Sequence, residues 1–125
     1  MGEIGRIIVT NNPLVREEFE DVLFVQGSFR EVLVKVRDMI HQGQELINHP
    51  LGASIRMIYS PYRSIIMGDF TEEAGEFYTQ TIESAIENYD KHMQKRNVDF
   101  ENSEDYARID RELLLSAIEE DKLHR

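Results

Sequence analysis

Cysteine is absent from this chain of 125 residues, and so is tryptophan. Without a thiol there can be no disulfide, no zinc finger, no iron–sulfur ligation and no thiol nucleophile. A direct covalent part in a thiol or selenol relay is excluded for the same reason. No apolar run approaches the roughly 18 to 20 residues that a membrane-spanning helix requires. The opening "MGEIGRIIVT" has no signal-peptide layout, and Arg6 stands where myristoylation wants Ser or Thr, so the expected location is cytoplasmic. Positive charge is scarce as well, with 14 bases against 24 acids and a net charge of -10. The deficit is uneven: through Gly68 there are 8 acids and 7 bases, and from Asp69 onward 16 acids and 7 bases. That balance argues against a nucleic-acid surface and against adhesion to anionic lipid.

What is present suits one globular domain over 1–125, large enough to bury about two-thirds of its unfolded surface. Four short Ile/Val-rich runs, at 4–10, 21–27, 45–48 and 63–68, end at turn formers and read as strands. Between them, 13–20 begins with Pro13 in a first helical turn, where its missing N–H costs nothing. The segment "SFREVLVKVRDMIHQG" carries a Ser28/Glu31 capping box, a stripe of Phe29, Val32, Leu33, Val36 and Ile40, and Gly43 at the left-handed cap position. The expected fold is therefore α/β, a mostly parallel sheet of about four strands with flanking helices. After residue 68 the period changes and predicts a two-helix, acidic C-terminal extension. One helix spans about 71–95, and the other about 103–121 with Tyr106, Ile109, Leu113, Ala117 and Ile118 facing inward.

Residues 48–64, "NHPLGASIRMIYSPYRS", fit neither pattern. In an open parallel sheet ligands bind beyond the carboxyl ends of the strands, and the unusual loops Asn11-Asn12-Pro13, Gly27-Ser28 and His49-Pro50-Leu51-Gly52 all fall there. The same residue types also serve turns and caps, so position and composition carry the functional reading. The candidate ligand-binding set is Asn11, Asn12, Ser28, His49, Ser54, Tyr62, Arg63 and Ser64, with Arg56 close by. Arg63 offers a forked donor and a permanent charge, His49 a switchable one, and Ser28 opens a helix whose first N–H groups favour anions. The expected ligand is a small anion. Pairing of Arg63 with a neighbouring carboxylate is the competing reading. His41, His49, His92 and His124 have no metal-ligand spacing, and the Gly-rich and nucleophile-elbow motifs are missing, so no metal, cofactor or catalytic residue is assigned.

"NNPLV", "VQGSFREVLVKVRDMIHQGQELINHPL" and "SPYRSIIMG" resemble the GrdX family, with His49-Pro50-Leu51 and Pro61-Tyr62-Arg63-Ser64 as the most specific marks. The resemblance covers roughly residues 7–68. It implies a small accessory protein encoded beside glycine, sarcosine or betaine reductases in amino-acid-fermenting anaerobes, with a reductase subunit as partner and no established catalysis. "GASIRMIYS" is more apolar than the family's usual link at this place. Three readings follow: a non-catalytic accessory protein, a small enzyme or sensor of a carboxylate or phosphate, and a dimerisation or docking module built on the C-terminal helices.

Overall fold

The computed structural model describes residues 6–52, 55–72 and 75–124. Its first half alternates as the sequence predicts: β1 (Ile7–Thr10), α1 (Pro13–Glu18), β2 (Val22–Phe24), α2 (Phe29–His41) and β3 (Gln44–Leu46). A 3-10 helix (Ile55–Tyr59) leads to β4 (Ser64–Phe70), and α3 (Gly75–Met93) and α4 (Ser103–Leu123) complete the chain. In α2 the reciprocal Ser28–Glu31 capping box forms, the predicted stripe is buried, and Gly43 takes φ 105° just past the helix end.

The sheet is mixed, which corrects the mostly parallel expectation. Its order is β2-β1-β4-β3, with β1 parallel to β2 and β4 antiparallel to both β1 and β3. Parallel neighbours need a crossover that carries the chain back along the sheet, usually a helix. Residues 47–63 hold only a short 3-10 helix, so the chain turns at the same end and β4 enters pointing the other way. The missing helical period in "NHPLGASIRMIYSPYRS" was the signal for this.

The two helical crossovers move in opposite directions, from β1 out to β2 and from β2 across to β3. Crossovers of one hand then place α1 and α2 on opposite faces. One core gathers Val9, Ile65 and Met67 from the sheet with Phe29, Leu33, Val36 of α2 and Ile82, Ala85, Ile86, Tyr89 of α3. The other gathers Ile8 and Ile66 with Val15 of α1 and Leu114 of α4, flanked by Ala117 and Ile118. The alternation of Ile65, Ile66 and Met67 between the two is the period-2 signature of a strand covered on both sides.

The expected extension is thus divided: α3 and α4 cover opposite faces. The inward face of α4 also differs from expectation. Ala107, Asp110 and Leu114 are buried, whereas Ile109 and Leu113 are 44% and 38% exposed. Rotation of the helix by one position brings a carboxylate inward, and the reason lies at the strand ends.

Candidate functional site

Because β4 runs against β1, its first residue Ser64 pairs with Thr10, the last of β1. Arg63 and Ser64 therefore arrive at the edge where β1, β2 and β3 end, and loops distant in sequence meet there. Asn12 caps α1, its side-chain oxygen accepting from the Leu14 N–H at 3.1 Å. Its amide donates to the Ala107 carbonyl and to Asp110 Oδ2, both at 2.9 Å. Asp110 is fully buried and also accepts from the Ser64 N–H at 2.9 Å and the Ser64 hydroxyl at 2.7 Å. The Ser64 and Thr10 hydroxyls lie 2.7 Å apart. Asn11 donates to the carbonyls of Gly27 and Pro61 and accepts from the Arg63 N–H at 2.9 Å.

The Arg63 guanidinium is buried beneath the His49-Pro50-Leu51-Gly52 turn. Its Nε donates to the Pro50 carbonyl at 2.8 Å and its Nη2 to the His49 carbonyl at 2.6 Å, with Nη1 4.0 Å from Asp110. Gly52 closes the turn by donating to the His49 carbonyl, and its φ of 76° is one that side chains beyond hydrogen disfavour. Burial lowers the Arg63 pKa and the Asp110 charge opposes that fall. A buried ion pair is tolerated only where further hydrogen bonds satisfy both groups, as they do here. Among the described residues no buried side-chain nitrogen or oxygen lacks a partner.

The structure brings Asn11, Asn12, Arg63 and Ser64 together, and adds Thr10 and Asp110, which the sequence reading passed over. Asp110 had a signal: Ala107, Asp110, Leu114 and Ala117 recur at helical spacing, an acid within an apolar stripe. His49 joins through its carbonyl. Its ring nitrogen Nδ1 accepts from the Leu51 N–H at 3.1 Å, which leaves Nε2 to carry the proton of the neutral ring. Burial, and secondarily the Arg63 charge, lowers the His49 pKa, against the expectation of a ring ready to turn positive. At the α2 amino end the Ser28 hydroxyl already accepts from the Glu31 N–H, and the Glu31 carboxylate accepts from the Ser28 N–H. Tyr62 is half-buried and its N–H donates to the Ser60 hydroxyl. Ser54 and the side chain of Arg56 lie outside the described residues.

His49 also lines a cleft of about 460 Å³ beside the edge strand β3, together with Glu45, Asn48, Tyr78 and His124. At its wall Arg6 makes a two-pronged contact with Asp121 at 2.7 and 3.1 Å. Arg63 and Ser64 do not line this cleft. An anion reaching Arg63 would have to displace carbonyls and compete with Asp110. Among the described residues no group of three His, Asp or Glu side chains is placed to hold a metal ion. No helix among them is long and apolar enough to cross a membrane.

The model of the GrdX-like protein family matches residues 7–119, nearly the whole described structure. The chain belongs to the GrdX-like family. Comparison with curated proteins and with solved structures gives no match. The family match extends past Gly68 to Glu119, so α3 and most of α4 lie within the matched region. The marks that carried the resemblance have distinct structural roles in this GrdX-like chain. His49-Pro50-Leu51 forms the turn over the guanidinium, and Arg63-Ser64 supplies the groups that the turn and Asp110 hold.

Proposed function

We propose that this GrdX-like chain is a non-catalytic accessory protein of a glycine, sarcosine or betaine reductase system and acts by binding a reductase subunit. The observation that carries this reading is the state of the strand-end cluster. Its hydroxyls, amides, carboxylate and guanidinium are buried and committed to one another, which suits a rigid scaffold better than a reacting site. A general acid, base or nucleophile must reach its substrate, and Asp110, Arg63 and Ser64 are closed off by the protein itself. Family membership supports the setting.

A specific feature favours α4 as the docking element. Ile109 and Leu113 are exposed one turn apart on its outer side, with Arg108 and Glu112 beside them. An apolar strip rimmed by charges is the usual make-up of a protein-binding helix face. If a small ligand takes part, the cleft lined by His49 is its accessible seat. The test is copurification of the full chain with separately produced reductase subunits. A one-to-one complex that survives gel filtration, and is lost in Ile109→Ser/Leu113→Ser while the fold is retained, supports the reading. Reductase turnover that strictly requires stoichiometric amounts of this chain would replace it with a catalytic role.

A further inference from the structure

A strongly positive region of this acidic molecule lies apart from the strand-end cluster, at the carboxyl end of α3. Lys91, His92, Lys95 and Arg96, with Tyr59 and Gln94, line a cleft of about 440 Å³ where the end of α3 meets the 3-10 helix. The local fold fixes its shape. The Gln94 N–H donates to the Asp90 carbonyl and the Lys95 N–H to the His92 carbonyl, so the chain leaves α3 in a tight turn. The Asp99 N–H then donates to the Tyr59 carbonyl at 2.9 Å and ties the outgoing strand of chain to the 3-10 helix. The Arg96 guanidinium lies 5.1 Å above the Tyr59 ring, and His92 meets the same ring edge-on at 6.5 Å.

Basic residues at a helix carboxyl end offset its dipole, which accounts for Lys91 and His92. It does not account for Lys95 and Arg96, which lie beyond the helix and pair with no carboxylate among the described residues. The nearby acids are engaged elsewhere: Asp90 holds Arg30 at 2.8 and 3.1 Å, and Asp99 accepts from Asn102 at 2.8 Å. Glu87 lies 3.7 Å from Lys91, but both are exposed and such a pair holds a lysine weakly.

The geometry points to a second binding site, for a small phosphate-class polyanion, in the cleft formed by Tyr59, Lys91, His92, Lys95 and Arg96. Several cations converging without an interposed acid match a ligand of more than one negative charge, whereas a monocarboxylate would use only part of them. The volume is that of a small-molecule site. A small ligand is favoured over an acidic protein surface by screening. At physiological salt the Debye length is about 8 Å, so an anion confined to the cleft is shielded from the acidic remainder of the chain, which a broad acidic partner would touch. The Tyr59 ring, held under Arg96, offers a flat face for any planar group the phosphate carries.

Titration of the full-length chain with inorganic pyrophosphate at low salt, followed by amide NMR shifts, tests the site. The expected result is saturable change at Tyr59, His92, Lys95 and Arg96, with a Kd of about 0.1 to 1 mM that weakens as salt rises. Lys95→Ala/Arg96→Ala, both exposed and outside either core, should weaken binding by roughly tenfold or more while leaving the remaining spectrum in place. Succinate should bind more weakly than pyrophosphate. The inference is overturned if no shift occurs up to about 10 mM probe, if the shifts centre on His49–Gly52, if the double variant binds equally well, or if succinate binds as tightly. None of these outcomes depends on the reductase copurification, so the two readings fail separately.

Discussion

Asp110 is the residue on which the strand ends depend, since it is fully buried and holds Ser64 twice and Asn12 once, with Arg63 behind. Asp110→Ala would leave three donors unserved and a buried guanidinium without its counter-charge. The expected loss is about 3 to 5 kcal/mol in urea unfolding. Asp110→Asn keeps the shape but turns an N–H₂ toward groups that already donate, for an expected loss of about 1 to 3 kcal/mol. Equal stability of either variant with the parent would show that the cluster is not coupled to folding. His49 gives a pH dependence whose direction is set by its lowered folded-state pKa. Between that value and the ordinary histidine value of about 6.5 the unfolded chain binds more protons than the folded one. Stability is therefore full above about 6.5 and declines as pH falls below it, until the folded ring also protonates. Comparing unfolding midpoints of the parent and His49→Gln across that range isolates the contribution. The variant should lose less stability on acidification.

Among the elements, α2 was legible because its signals are local: a capping box, one apolar stripe and a glycine past its end. Ser28→Ala removes the cap and should cost about 1 kcal/mol. The orientation of α4 was not legible from apolar content alone. Five consecutive residues, Glu112 to Ser116, include Leu113, Leu114 and Leu115, and which of them faces the sheet is decided by where Asp110 finds its donors. The two neighbouring leucines make a direct test. Leu114→Ala should cost about 2 to 5 kcal/mol as a core truncation, and Leu113→Ala less than about 1 kcal/mol. Reversed values would place the helix in the register that the spacing first suggested. Strand polarity was illegible for another reason. The runs that form β1, β2 and β4 look alike in composition, and the direction of β4 depends on whether residues 47–63 contain a crossover. Loop position placed Asn11 and Asn12 at the carboxyl edge of the sheet, but Arg63 and Ser64, at the start of β4, join them there only because that strand is antiparallel. That they would close on each other required the partner on α4, distant in sequence from all four.

At the scale of the whole molecule, charge and fold divide the chain differently. Composition separates a nearly neutral first half from an acidic second half at Gly68, yet the structure has no seam there. Ile65, Ile66 and Met67 of the central strand β4 are buried between helices from both halves, with Ile82, Ala85 and Ile86 of α3 in one core and Leu114 of α4 in the other. A chain ending at Gly68 would keep the register partners of β1 and the Leu46–Met67 pair, losing only Phe70 opposite Gln44, but would expose much of both sheet faces to water and leave Ser64 and Asn12 without Asp110. Burial of apolar area at about 25 cal/mol per Å² is what offsets the entropy of ordering the chain, and the shortened protein forfeits too much of it. The full chain is therefore expected to unfold in one step, with far-UV circular dichroism and tyrosine fluorescence tracing the same urea transition. That fluorescence is informative because the chain has five tyrosines and no tryptophan to obscure them, and Tyr89 of α3 is buried against Phe29 of α2, with ring centroids 5.0 Å apart. The 1–68 chain should show no cooperative transition. An early, separate loss of helix signal in the full chain, or cooperative unfolding of the shortened one, would make the acidic half an appendage to an independent core.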